Sequence, residues 1–246
     1  MHPCLPPLRR TALLLDLDGT LLDIAMTPDA VTTPVGLPEC LHALRRLLGD
    51  ALAIVTGRPV ETVDALLGDA AFTVAGEHGG ALRREPGRPL ERAPLPSPPP
   101  HWLAEAARLA AAYPGALFER KARGFALHFR AVPAAGAPMR EALVRLLDGS
   151  QDFELLPAHM LWEVRPRGAD KGKALRMVME RPPFLGRLPV FVGDDVTDED
   201  AIAAATAMGG TGLRVAEAFG DAAGVRAWLQ AIVAEKAWPN APSTAP

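Results

Sequence analysis

The chain has 246 residues, 49% apolar and 22% charged, with a formal net charge of −3, which suits one large α/β domain or a core carrying a second, smaller one. No run of Lys or Arg marks a nucleic-acid or membrane-surface footprint, so neither is expected as a partner. Cys4 and Cys40 lack disulfide-scaffold density and C-x-x-C spacing, and the N-terminal apolar run is broken by Asp16 and Asp18 before it reaches signal-peptide or membrane-span length; a soluble, cytoplasmic protein, monomeric by default, is expected.

Residues 13–17 form an apolar run followed at once by Asp18-Gly19-Thr20, the pattern of a buried parallel strand ending in a tight turn. A helical pattern at 39–48 comes next, then a second strand at 52–55 ending at Thr56-Gly57-Arg58-Pro59, then a helix at 60–67. The proline-rich stretch 94–100 can continue neither a helix nor a central strand and reads as a semi-rigid linker. Beyond it the order becomes helix (about 101–112), strands (117–121 and 125–130), helix (139–147) and strands (153–156 and 161–165). Two α-β-β units in succession predict a small α+β module on an antiparallel sheet, occupying 98–167. A helix at 173–179 and a strand at 190–192, closing at Gly193-Asp194-Asp195, resume the first rhythm, and 239–246 read as an unstructured tail. Residues 1–97 and 168–246 therefore form a core with a parallel sheet covered on both faces, whose ligand site lies beyond the carboxyl ends of the strands.

Those ends are where the polar turns fall. Asp16 and Asp18 stand two apart at the first; one carboxylate can attack phosphorus while the other protonates the leaving oxygen and later takes a proton from water. A D-x-D-G turn is equally a hydrogen-bonded turn or a structural cation site. The acidic run 194–200 adds carboxylates at another strand end, with Asp194 the best ligand candidate, and an all-oxygen site of this kind suits Mg²⁺. Such runs also serve as solvated helix starts. A phosphate dianion among these carboxylates needs compensating cations and donors. Lys171, at a helix N-terminus, and Thr56, beside backbone N–H groups, supply them. Only Lys121, Lys171, Lys173 and Lys236 are lysines among 26 basic residues, so a retained lysine points to a need for a compact ammonium.

Taken in order, these segments resemble the haloacid dehalogenase-like phosphatases, with Asp16 and Asp18 as the first motif, Thr56 the second, Lys171 the third and Gly193-Asp194-Asp195 the fourth. The resemblance implies a Rossmann-like parallel-sheet core with an inserted αββαββ cap. It implies Asp16 as nucleophile and Asp18 as general acid/base. The metal would be held by Asp16, Asp194 and the backbone carbonyl of Asp18, with Asp195 and Asp198 assisting or holding that shell. A narrower resemblance, to trehalose-6-phosphate phosphatases, is carried by the first motif extended through Ile24 and Pro28-Asp29. Gly76-Glu77-His78-Gly79, Glu119-Arg120-Lys121, residues 126–130, Glu163-Val164-Arg165-Pro166 and the acidic run carry it further.

Within the module, Glu119 and Lys121 share one strand face, and Phe125, Leu127 and Phe129 alternate with Ala126, His128 and Arg130 on the next strand. A sugar needs such a polar face, because each unpaired buried hydroxyl is costly. Arg58, His78, Glu119, Lys121, His128, Arg130 and Glu163 are accordingly the substrate-binding candidates. The plain alternatives are cross-strand salt bridges among Glu119, Lys121 and Arg130, structural roles for His78 and His128, and a helix-start role for Arg58. Three functions remain: hydrolysis of trehalose 6-phosphate, hydrolysis of another sugar phosphate such as sucrose phosphate or mannosyl phosphoglycerate, and a phospho-aspartate receiver or phosphate-binding module. A receiver needs about half this length and neither an acid/base nor a cap.

Overall fold

A computed structural model describes residues 5–25, 27, 30–68, 72–158 and 160–239 of the chain. Cys4, Pro28-Asp29 and the expected tail apart from Pro239 lie outside them. Strand β1 (Thr11–Leu15) is buried along its whole length. After helix α1 (Leu37–Leu47) the same holds for β2 (Leu52–Val55), and after α2 (Val60–Leu67) for β3 (Thr73–Gly76). Continuous burial of this kind belongs to strands covered on both faces. Two short antiparallel strands, β4 (Ala81–Arg83) and β5 (Glu91–Arg92), extend one edge.

The chain then leaves the sheet through its proline-rich stretch. It builds α3 (Pro100–Ala111), β6 (Leu117–Arg120), β7 (Phe125–His128), α4 (Gly136–Leu146), β8 (Phe153–Ala158) and β9 (Leu161–Pro166). Pro100 opens α3, where its missing N–H removes no intrahelical bond. The return supplies α5 (Lys171–Met179), β10 (Leu188–Gly193), α6 (Glu199–Ala207), β11 (Thr211–Arg214), α7 (Val215–Ala218) and α8 (Ala222–Glu235). Among the described residues no helix is long and apolar enough to cross a membrane.

The larger sheet has the order β11-β10-β1-β2-β3-β4-β5, parallel from β11 through β3. Alternate side chains point to opposite faces. Leu13, Leu15, Ile54, Val74, Val190 and Val192 bury one face with α1, α2 and α8, while Leu14, Ala53, Val55 and Phe191 bury the other with α5 and α6. Each large side chain so buried contributes about 1.5–3 kcal/mol. Register fixes the site: Leu15 lies opposite Val192 on one side and Ile54 on the other, so the carboxyl ends of β10, β1 and β2 stand side by side.

The smaller sheet is antiparallel, in the order β6-β7-β9-β8. Phe125 and Leu127 pair with Val164 and Trp162, and this apolar face packs on Trp102, Ala106, Met139 and Leu143 of α3 and α4. The opposite face carries Glu119, Lys121, His128 and Glu163 and turns toward the strand ends of the larger sheet.

Candidate active site

A cleft of about 180 Å³ separates those strand ends from the polar face of the small sheet. Asp16, Asp18, Thr56, Arg58, His78, Lys171, Asp194 and Asp195 line its floor, and Glu119, Lys121, His128, Arg130 and Glu163 line its roof. These thirteen side chains, drawn from separate stretches of the sequence, thus face one space.

Asp16 follows β1 directly, and its N–H donates to Val192 O at 2.9 Å, which locks the carboxylate beside β10. Gly19 turns the chain at φ +77, and a Cβ there would collide with the Asp194 carboxylate, so only glycine lets the two acidic turns meet. Thr20 closes the approach by donating its hydroxyl to Asp194 Oδ1 at 3.2 Å. Lys171 begins α5, capped by the Asp170 side chain. Its buried ammonium donates to Asp16 Oδ1 at 2.6 Å and to Asp198 Oδ1 at 2.7 Å.

Oxygen atoms of Asp16, Asp194 and Asp198 lie within 4.8 Å of one another. Asp198 therefore joins the carboxylate cluster itself, where the resemblance gave it and Asp195 alike an assisting part. The Asp195 carboxylate instead caps the following turn, accepting from Val196 N at 2.6 Å. Asp198 Oδ2 also accepts the N–H groups of Asp194 and Asp195 at 3.1 Å each, so it holds the acidic loop as well as facing the cluster. Spacing alone could have pointed to it, because the short helical turn after Asp195 brings a residue three positions on back over the strand end.

The electrostatics follow from burial. Desolvation pushes the Asp16 carboxyl well above the ordinary range, and Asp198 adds to it, against the pull of Lys171. Partial desolvation and Asp198 raise Asp194, at the solvent-facing rim, to about 6. Burial would lower Lys171, but Asp16 and Asp198 outweigh it and hold the ammonium protonated far above the usual range. Three carboxylates against one ammonium leave an excess negative charge among hard oxygen donors. A divalent hard cation fits that donor set and balances the charge.

Asp18 is not part of the carboxylate cluster. Its carboxylate is gripped in a fork by Arg58, Nε to Oδ2 at 2.6 Å and Nη2 to Oδ1 at 2.8 Å. Arg58 stands before α2, which begins at Val60, and its guanidinium lies in the cleft against Asp18. The Thr56 hydroxyl oxygen accepts the Arg58 N–H at 3.2 Å, leaving its own proton for another acceptor. On the roof, Lys121 Nζ donates to Glu163 Oε1 at 2.9 Å, His78 Nε2 approaches the same oxygen at 3.2 Å, and His128 Nε2 lies 2.8 Å from Glu119 Oε2. Arg130 reaches across to the carbonyl of Ala25. Mutual salt bridging among Glu119, Lys121 and Arg130 is therefore replaced by these separate partners. Burial alone would raise the Glu163 carboxyl, but Lys121 and His78 outweigh it and hold it well below the usual range.

A family model described as trehalose-phosphatase matches residues 14–217, which take in the small sheet, the larger sheet but for the first three residues of β1, and every residue lining the cleft. The chain belongs to the trehalose-phosphatase family. Among its relatives, a probable trehalose-phosphate phosphatase of Sinorhizobium fredii is 38% identical over 205 residues, spanning 83% of this chain and 77% of its own. The trehalose-6-phosphate phosphatase of Escherichia coli is 35% identical over 201 residues, 81% of this chain and 75% of its own. The fold of this family member is also that of the solved C-terminal domain of a C. albicans trehalose-6-phosphate phosphatase. There the TM-score is 0.69 and identity is 23%, with 80% of this chain and 73% of the other covered. This family member is accordingly a phosphoric monoester hydrolase of haloacid dehalogenase-like fold.

Proposed function

We propose that the chain hydrolyses trehalose 6-phosphate to trehalose and phosphate through an aspartyl-phosphate at Asp16, with residues 98–167 serving as a sugar-recognising cap. The observation that carries this reading is the cleft itself: a buried Asp16–Lys171 pair beneath a roof of Glu119, Lys121 and Glu163. Phosphate chemistry lies below and hydroxyl recognition above.

In the first half-reaction an Asp16 carboxylate oxygen attacks phosphorus in line, the bond from phosphorus to the sugar oxygen breaks, and protonated Asp18 gives that oxygen its proton. Asp18 leaves Arg58 to do so, and the freed guanidinium takes up phosphate oxygens in its fork. In the second half-reaction Asp18 removes a proton from water as it attacks phosphorus, and the bond to Asp16 breaks. Lys171 and the Thr56 hydroxyl stabilise charge on the transferring group throughout. Asp16, Asp194 and Asp198, with Asp18 through its backbone and Asp195 at the margin, would hold Mg²⁺, which supplies charge neutralisation to the phosphate when bound.

Glu119, Lys121, His128, Arg130 and Glu163 meet the disaccharide hydroxyls. The setting is cytoplasmic and the chain acts as a monomer on a soluble sugar phosphate. Purified protein with Mg²⁺, offered a panel of sugar phosphates, is expected to release phosphate chiefly from trehalose 6-phosphate. Preference for sucrose phosphate or mannosyl phosphoglycerate would move the substrate, and release from none would remove the activity.

A further inference from the structure

Glu77 and His78 are consecutive residues with side chains at φ +54 and +53, a left-handed conformation that a Cβ disfavours and that persists only where surroundings hold it. Here the holding groups belong to the loop after β2. Glu77 N donates to Arg58 O and His78 N to Thr56 O, both at 3.0 Å. The turn is thereby bolted to the segment that carries the proposed phosphate contacts. It drives the His78 ring against Gly57, where a Cβ would come within 2.6 Å of Nε2. The His78 side chain is 7% exposed and points from the larger sheet to Glu163 of β9, on the cap side of the cleft.

The protonation state follows from the partners. Nδ1 is buried with no hydrogen-bond partner among the described residues. A charged ring would bury an unpaired N–H there, whereas a neutral ring donating through Nε2 leaves only a lone pair. Burial, the largest influence on the ring, also favours the neutral form, against the pull of Glu163. Glu163 Oε1 thus receives two donors, His78 Nε2 and Lys121 Nζ, while Oε2 has no partner among the described residues and belongs to a side chain lining the cleft.

We infer that His78 is a positioning residue rather than a sugar ligand: its Nε2–H, aimed by the left-handed turn, fixes the Glu163 carboxylate so that Oε2 meets a sugar hydroxyl. Lys121 and Glu163 travel together on the small sheet, and the His78 contact registers this pair against the Thr56-Gly57-Arg58 loop. Sugar recognition and the phosphate loop then share one rigid link. The inference rests on the sugar-phosphatase reading above.

The test compares wild type, His78→Phe, His78→Gln, Glu163→Gln and the Phe/Gln double variant on trehalose 6-phosphate and on a small aryl phosphate, with Mg²⁺. His78→Phe should lower kcat/KM for the sugar phosphate about tenfold or more, mainly through KM, and that for the aryl phosphate by less than about threefold. His78→Gln keeps an N–H donor and should recover to within about threefold of wild type, and the double variant should be no worse than the poorer single one. Equal losses on both substrates, no rescue by Gln, or multiplying losses would overturn the assignment. A wild type preferring another sugar phosphate defeats only the substrate, and the same comparison is then made on the preferred one. Independently of turnover, ¹⁵N spectra of the imidazoles should show His78 as the neutral Nε2–H tautomer, its Nε2 proton shifting in Glu163→Gln. An Nδ1–H tautomer, or an unmoved proton, would reject the link even in a protein that hydrolyses no sugar phosphate.

Discussion

Replacing Lys171 by methionine keeps most of the side-chain volume and removes one charge from the centre of the site. The ammonium bonds Asp16 and Asp198 at 2.6 and 2.7 Å, with side chains that are 4, 5 and 0% exposed. Its loss leaves three carboxylates whose oxygens lie within 4.8 Å. At an effective dielectric of about 20, two ionised carboxylates at that distance repel by about 3.5 kcal/mol. Asp16 and Asp194 can relieve part of this by taking protons, so the cost to expect is that of stripping one partner from a buried ion pair, about 3–5 kcal/mol. For a chain of this size the midpoint moves about 2–4 °C per kcal/mol, so Tm should fall by about 6–20 °C. The assay is thermal unfolding in chelator near pH 8, repeated with Mg²⁺. Cation at about 100 times its Kd should return about 2.7 kcal/mol. Turnover should not return, because the proposed mechanism also needs the lysine to stabilise charge on the group being transferred. A fall of less than about 2 °C in chelator, or a deficit that Mg²⁺ leaves untouched, would refute the charge balance argued for the cluster.

Three other outcomes follow from the same geometry. Asp194, raised to about 6 against about 3.9 for an ordinary aspartate, holds an extra proton in the folded state, and Asp16 shifts the same way. These two groups should therefore contribute most to the stability of the metal-free protein below about pH 4 and lose that contribution as pH rises through about 6, while Mg²⁺ binding tightens over the same interval; urea unfolding in chelator, read as the difference between wild type and Asp194→Asn, and calorimetric titration would contradict this if both were flat. Gly19→Ala imposes a left-handed penalty of about 1–2 kcal/mol and a collision with Asp194, and kcat should fall at least about tenfold; near-normal kcat would show that the two acidic turns tolerate separation. Lys121→Ala should raise KM for the sugar phosphate far more than for a small aryl phosphate, and equal losses on both would reject recognition by the cap.

The alternation of apolar strands with helices made the core legible. The helix Val60–Leu67 and the strand Leu52–Val55 fall where the periodicity put them, and the two α-β-β units of the cap keep their order. Strands β3, β4 and β11 escaped because each is three or four residues long and none is a bulky apolar run: β3 and β11 carry threonine and glycine, and β4 is Ala-Leu-Arg. Within the site, residue types at strand ends and at one helix start were enough to gather Asp16, Thr56, Asp194 and Lys171 into one cleft. Choices that depend on which way a side chain turns were not legible. Asp195 caps a turn while Asp198 joins the cluster, and Arg58 clasps Asp18 instead of standing open. The role of His78 depended on a positive φ and on a partner 85 positions away, neither of which local spacing encodes.

The central claim is that phosphorus passes through Asp16 on its way to water. The most direct test is the stereochemical course at phosphorus, followed with a substrate whose transferable group is made chiral by sulfur and oxygen isotopes. Two successive in-line displacements each invert, so the account predicts overall retention. Overall inversion would mean a single direct attack by water, and Asp16 would not be the nucleophile.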